Sequence, residues 1–367
     1  MKILHLNSNF LYTYIYENLL DEIDQDIKHI IYSPQKKNNN KVVDSKYKVL
    51  EPEIISNLDS FFTFYRRNKS YRYLRKEINL QNDLLIHSHT LTNDGILAYY
   101  LFKKYKINYI LTIRNTDINF TLKYKKHLFS YFKRVILNAK LLIFPNFPYK
   151  KRLKKIFKNN PDIVSKIDKS IVIQNGIEKI WLQNIPENKK DISNKSVINM
   201  LFIGRIYRQK NLHRVLESLK NIDVKINIKI IGKIIDDEYY KKIKEKYQFE
   251  YLGEKNKKQI IEIMSKSDIF IMPSENETFG LVYVESLSQN LPIIYSKNEG
   301  IDGYFKDNKY GVSVDPKSIE DIQRGIRFII NNYEGIQKNL EDKSFLDEFN
   351  WANIGSNYSG LYRGLEK

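Results

Sequence analysis

Short apolar runs recur along the chain, separated by longer stretches whose apolar residues follow a helical spacing. Residues 3–6, 27–32, 84–87, 109–113, 141–144 and 171–173 form one series of runs, and 199–203, 226–231, 249–252, 268–272, 292–295 and 312–314 form a second. Such brief, β-branched runs bounded by turn residues read as buried strands, because a parallel sheet covered on both faces has no polar face to alternate with. Their alternation with helical patterns predicts βαβ units. The fold class expected is α/β, with two Rossmann-like parallel-sheet domains. The stretch 185–196 is polar and without periodicity, so it reads as a linker. The domains are then 1–184 and 197–349, with a final helix over 350–367 starting at Asn350-Trp351-Ala352. Ligands of such folds bind at the carboxyl ends of the strands, here in a cleft between the two sheets.

The run 268–272 is followed by small, polar or acidic residues, Ser274 to Thr278, after which Phe279-Gly280 opens a helical pattern over 281–288. A strand, turn and helix in this order aim the first helix amides over the end of the sheet, where they attract an anion, and Gly280 lets it approach the backbone. Glu277 and Glu285 frame that helix start. Carboxylates repel phosphates but accept hydrogen bonds from sugar hydroxyls, so the combination suggests a nucleotide sugar. Taken alone, the spacing is also that of two solvated acids favoured by the helix dipole. Upstream, Gly204 ends a run, and Arg205 and Lys210 flank the next turn. Two fixed cations there suit a departing diphosphate, on which charge builds as its bond breaks.

Composition sets limits on this picture. A chain of 367 residues with 42% hydrophobic residues can fill two cores. It has no cysteine, which excludes disulfides, thiolate metal sites and a cysteine nucleophile. The opening Met1-Lys2-Ile3-Leu4-His5 turns polar too soon for a signal peptide, and no apolar run approaches the length of a membrane span. A cytoplasmic protein is expected, or one peripheral on the inner membrane face. The net charge of +18 is concentrated between Tyr100 and Lys158, where sixteen Lys or Arg face one acid, Asp117. Bases interleaved with aromatics suit an anionic membrane surface; nucleic acid and a merely solvated basic face are the other readings.

Several stretches of the first half are candidates for binding. Residues 60–76 set Phe61, Phe62, Phe64 and Tyr65 beside Arg66, Arg67, Lys69, Arg72, Arg75 and Lys76, either facing a lipid or burying the aromatics under snorkelling bases. His87-Ser88-His89 and Arg114-Asn115-Thr116-Asp117 each follow a strand. Asp117 reads as a ligand for an acceptor hydroxyl or as the ion-pair partner of Arg114. Asp24-Gln25-Asp26 has the form of a metal motif but lies in a plain polar loop.

The order strand, Pro273-Ser274, Glu277, Phe279-Gly280, Glu285, Leu291-Pro292-Ile293-Ile294 resembles the donor-site signature of the retaining glycosyltransferases of the glycogen-synthase-like group, family four, of GT-B architecture. Gly204-Arg205 with Lys210, His87-Ser88-His89, and Thr112-Ile113-Arg114-Asn115-Thr116-Asp117 stand in matching order. The resemblance implies that Arg205, Lys210 and the amides of Gly280 and Leu281 hold the diphosphate, Glu285 the ribose and Glu277 the sugar hydroxyls. It further implies Gly204 and Phe279 in the donor site, Gly253 and Glu254 near the base, Asp117 among the catalytic residues, and His89, Arg114 and Asn115 toward the sugar or acceptor. The chain departs from the family in having Asn290 for glycine, Arg114 for histidine and no glycine in the turn after the first strand. In the family, retention is ascribed to same-face attack, with the leaving phosphate taking the acceptor proton.

The function expected is a retaining hexosyltransferase using a nucleoside-diphosphate sugar, UDP before GDP, with no metal and no cofactor. The acceptor expected is a saccharide, lipid-linked, in cell-surface or capsular polysaccharide synthesis, with peripheral membrane contact and no nucleic acid. A nucleotide-sugar epimerase of the same fold and a non-catalytic nucleic-acid binder are the alternatives. Sugar, linkage and oligomeric state are not legible in the sequence.

Overall fold

The computed structural model describes residues 1–36, 43–56, 59, 62–81 and 83–366. The chain divides into two compact units, Met1–Gly176 with Trp351–Lys367, and Ile177–Asn350. In the first unit the strands are β1 (Lys2–Leu6), β2 (Lys28–Tyr32), β3 (Val49–Leu50), β4 (Leu84–Ser88), β5 (Tyr109–Thr112), β6 (Leu141–Phe144) and β7 (Ile171–Val172). They form one parallel sheet in the order β3-β2-β1-β4-β5-β6-β7. The order reverses direction between β1 and β4, and at such a point the connections diverge and leave a crevice beyond the strand ends. Leu4, Leu6, Ile86, Leu111 and Leu142 face one helical layer, and Ile3, Ile31, Leu85, Ile110 and Ile143 face the other, as the period of two requires. β3 is the strand the apolar pattern does not announce, being only two residues long.

The last helix, Trp351–Glu366, packs on the first unit. Trp351, Ile354, Tyr358 and Tyr362 join Ile3, Leu20 and Leu85 in its core. Arg363 reaches back to Asp24 at 2.6 Å and Asp26 at 2.8 Å, so the Asp24-Gln25-Asp26 loop anchors this helix.

The second unit repeats the plan with β8 (Val197–Ile203), β9 (Lys225–Ile231), β10 (Glu250–Tyr251), β11 (Ile269–Ile271), β12 (Ile293–Ser296) and β13 (Gly311–Val314), in the order β10-β9-β8-β11-β12-β13. Its reversal falls between β8 and β11. Asn290, standing where a glycine is usual, has φ 60°, a left-handed conformation that asparagine tolerates. The expected linker is corrected: 185–196 belongs to this unit. Lys190 Nζ donates to the carbonyls of Met264, Ser265 and Ser267, each at 2.8 Å, and Lys195 pairs with Asp268 at 2.5 Å. These ties are long-range and leave no periodicity, which is why the segment looks loose in sequence. Among the described residues, no helix is long and apolar enough to cross a membrane.

Candidate functional site

β8 and β11 are neighbours at the reversal of the second sheet, so the turns that leave them lie side by side. The turn after β8 carries Arg205, a single helical turn Arg208–Lys210 and Asn211 at φ 65°. The turn after β11 runs from Pro273 to Gly280. Hydrogen bonds join the two: Glu275 N–H donates to the Gln209 carbonyl at 2.8 Å and Asn211 Nδ2 to the Pro273 carbonyl at 2.9 Å. Arg214 Nη1 adds an ion pair to Glu275 Oε1 at 2.9 Å.

Within this frame Lys210 Nζ lies 2.5 Å from Glu277 Oε2, with the two side chains only 15% and 12% exposed. Ser274 Oγ donates to the same oxygen and the Thr278 N–H to Oε1, each at 3.1 Å. Gly280, at φ 77°, is the N-cap of the helix Leu281–Ser288 and has no side chain of its own to cap the first amides. A Cβ at Gly280 would lie 2.3 Å from the Tyr283 ring and 3.3 Å from Glu277 Cγ, so only glycine fits this tight turn, and the helix start lies against the Lys210–Glu277 pair. Tyr283 is itself fixed, its hydroxyl donating to the Met272 carbonyl at 2.5 Å.

Arg205 is exposed, its guanidinium 5.7 Å from the Tyr207 ring centre, with no carboxylate in ion-pair range among the described residues. Gly253 has φ 71° with open space where a Cβ would point, and Glu254 beside it is exposed. Leu281 is half-buried at the helix start. Phe279 differs from expectation: it is buried and packs edge-to-face on Tyr304 at 5.2 Å, so it pins the loop to the core rather than presenting its ring to a ligand.

Glu285, one turn further along the helix, is half-buried. Burial pushes its carboxyl up to about 7; Glu178 nearby adds to the rise, while Lys257 and the Trp181 indole oppose it. Near neutrality this group therefore exchanges between acceptor and donor.

The first unit has its own polar cluster at the β1/β4 reversal. His5, His87 and His89 are buried together, with one ring nitrogen of each within 4.8 Å of the others. His5 bonds His89 Nε2 at 3.0 Å and His29 Nδ1 at 2.9 Å. His87 bonds the Tyr362 hydroxyl at 2.7 Å and Thr112 Oγ1 at 2.8 Å. Burial holds all four imidazoles well below their usual value, so they are neutral; His29, His5 and His89 form a hydrogen-bonded chain across the sheet, and the His87 ring stacks on His89 at 4.0 Å. His89, expected toward the sugar, ends this chain, buried against His5 and His87.

Arg114 Nε donates to the His89 carbonyl at 3.1 Å, and its guanidinium stacks over Tyr16 at 5.0 Å. Asn115 accepts from Asn119 Nδ2 at 2.5 Å. The catalytic reading of Asp117 is corrected. It is fully buried, and its carboxylate accepts the N–H groups of Leu91 and Arg114 at 3.0 Å, that of Thr92 at 3.3 Å and the Thr92 hydroxyl at 3.0 Å. No ion pair with the Arg114 side chain forms; Asp117 takes that residue's backbone N–H instead, and ties the β4 turn to the β5 turn. Replacing Asp117 by Ala strands three buried N–H groups and is expected to cost about 3–5 kcal/mol, seen as a large fall in Tm. An activity loss at unchanged Tm would return Asp117 to the chemistry.

Residues to which sequence reasoning gave no role are Ser8, Asp94 and Ser274. Ser8 Oγ donates to Asp94 Oδ1 at 2.6 Å, an arrangement spanning 86 positions that only strand adjacency creates.

Residues 184–344 match the family "Glycosyl transferases group 1". An uncharacterized glycosyltransferase of Methanocaldococcus jannaschii is 27% identical over 305 residues, covering 81% of this chain and 80% of that protein. TuaC of Bacillus subtilis, provisionally named a teichuronic acid biosynthesis glycosyltransferase, is 24% identical over 67% of this chain and 62% of its own length. Among solved structures, Anabaena HepE in complex with UDP superposes with a TM-score of 0.71 over 100% of both chains at 14% identity, a likeness of fold. The second unit of this chain is thus similar to the glycosyl transferases group 1 family over residues 184–344, within a fold of two parallel-sheet α/β units that solved glycosyltransferase structures share.

Proposed function

We propose that the protein is a retaining, metal-independent glycosyltransferase that moves a sugar from a UDP-linked donor to a saccharide acceptor in cell-surface polysaccharide synthesis. The observation that carries this reading is the Lys210–Glu277 pair, held at 2.5 Å beside the helix start at Gly280. A cation for phosphate and a carboxylate for sugar hydroxyls are thereby fixed side by side. Arg205, Lys210 and the amides of Gly280 and Leu281 draw in the donor diphosphate. As the bond between the anomeric carbon and the diphosphate oxygen breaks, negative charge grows on the diphosphate where these groups already stand. The acceptor oxygen bonds to the anomeric carbon on the same face, and its proton passes to the departing phosphate oxygen. Glu277 orients the sugar and Glu285 accepts from the ribose.

The UDP complex of HepE, which shares the fold, supports UDP as carrier, and the name of TuaC supports a cell-surface glycan. Peripheral membrane contact draws support from Phe62, Tyr65, Phe120 and Tyr124, each between 58% and 60% exposed, amid the basic side chains of the first unit. Of the residues expected at 60–76, Ser60 and Phe61 lie outside the described residues. Sedimentation with anionic liposomes at low salt tests the contact, and absence of binding removes it.

The test of the reaction is incubation with UDP-sugars and saccharide acceptors in a chelator. Transfer with the donor's anomeric configuration kept is the expected result; conversion of donor without acceptor indicates an epimerase. Glu285 supplies a pH signature. Its carboxyl is raised in the free protein to about 7, and the ribose requires its ionised form. Affinity for a nucleotide sugar should therefore be full above that pH and fall as pH drops below it, by up to about tenfold per unit. Glu285→Gln should flatten the profile; an unchanged profile in that variant sinks the assignment.

A further inference from the structure

Beyond the donor turns, the first unit holds a separate cavity of 540 Å³ at the carboxyl ends of β1, β4 and β5. Its polar wall includes Ser8, Thr90, Arg66 and Lys125, and its rim carries Phe120 and Tyr124, whose ring centres are 5.0 Å apart. Arg66 Nη2 donates to Ser8 Oγ at 3.2 Å, and Ser8 in turn donates to the buried Asp94. That chain fixes the guanidinium by one hydrogen bond and leaves most of its five donors for a ligand; no carboxylate is within ion-pair range of it among the described residues. Lys125 Nζ reaches Thr63 Oγ1 at 3.3 Å. The two cations are close enough that Arg66 adds to the fall in the Lys125 pKa that burial begins. Burial lowers the Arg66 pKa as well, with Asp94, Tyr32 and Asp59 opposing. Asp117 also lines the cavity, but its oxygens are taken up by the N–H and hydroxyl donors already described. His127 completes the basic lining.

Two partly buried like charges facing one cavity repel each other, and an anion between them removes that cost while gaining charge-assisted hydrogen bonds. The exposed aromatic rim gives an adjoining sugar ring or hydrocarbon chain a surface to lie on. We infer that this cavity binds a phosphate or diphosphate group carried by the acceptor, with Arg66 and Lys125 as its ligands. That the anion belongs to an acceptor rests on the glycosyltransferase reading; that the cavity takes a phosphate does not.

Calorimetric titration of inorganic pyrophosphate tests this on the full chain, in an Arg205→Gln/Lys210→Gln background that silences the cations of the second unit. Arg66→Gln and Lys125→Gln are each expected to weaken pyrophosphate about tenfold or more, and Arg66→Lys to keep most of the affinity. Affinity unaffected by both Gln substitutions, or no pyrophosphate binding at all, overturns the proposal. Vesicles separate the sources of the phosphate. Arg66-dependent capture by neutral vesicles containing a polyprenyl diphosphate supports a lipid-linked acceptor. Arg66-dependent pyrophosphate binding without that capture supports a free phosphorylated saccharide. Capture only by phosphatidylglycerol vesicles, without pyrophosphate affinity, assigns the charge to the membrane surface and overturns the cavity. Failure of the glycosyltransferase reading would show separately, as absence of UDP binding to the wild type.

Discussion

Lys210→Ala is expected to lower kcat/KM by about 10³-fold or more, the largest effect of any single substitution in the donor turns. Two losses combine. On the proposed reading the ammonium that would stabilise the departing diphosphate disappears, and Glu277, 12% exposed, loses its cation beside the site proposed for the phosphates. The alanine variant therefore exchanges an attraction for a repulsion, so both nucleotide affinity and turnover fall. Lys210→Arg keeps the charge but not the fit in a pocket already filled by Glu277, and should recover only part of the loss. Steady-state kinetics with circular dichroism as a check on folding decide the matter. A folded Lys210→Ala enzyme within tenfold of wild type would refute the role.

Glu277→Ala follows, with an expected fall in kcat of about 10²-fold or more and a smaller change in UDP affinity. On the proposed reading, sugar hydroxyls add to the bonds that its carboxylate accepts from Lys210, Ser274 and Thr278. A nucleotide without sugar does not use those bonds. UDP affinity should be retained or raised in the variant, since a negative charge near the phosphates is gone, while transfer is lost. Full turnover by Glu277→Ala would show that the carboxylate only positions Lys210.

Among the described residues, twelve of the thirteen strands are announced by apolar runs, because buried parallel strands have no solvent face to break the signal. Among the described residues, Val49–Leu50 pairs with Ile31 and Tyr32, and it is too short to carry a pattern. The adjacency of the turns proposed to hold the donor was legible because their motifs are local: Glu277, Gly280 and Glu285 lie within nine residues of one another, and Lys210 lies in the turn that leaves β8. The first unit was less so. Asp117 sits after a strand like a catalytic acid, and only its burial under four donors reveals a clamp. Arg66, Ser8 and Asp94 lie on three separated segments, and nothing short of the β1–β4 pairing brings them together. The Lys190 and Lys195 ties likewise join distant positions, so a strapped segment looked like a linker.

The central claim is that the turns after β8 and β11 form a nucleotide-diphosphate site. The measurement that tests it most directly is calorimetric titration of UDP and of GDP, without metal, into wild type, Arg205→Ala and Lys210→Ala. Saturable binding of UDP in preference to GDP, lost in both variants while they remain folded, is the result predicted. A folded wild-type protein that binds neither nucleotide would contradict the account.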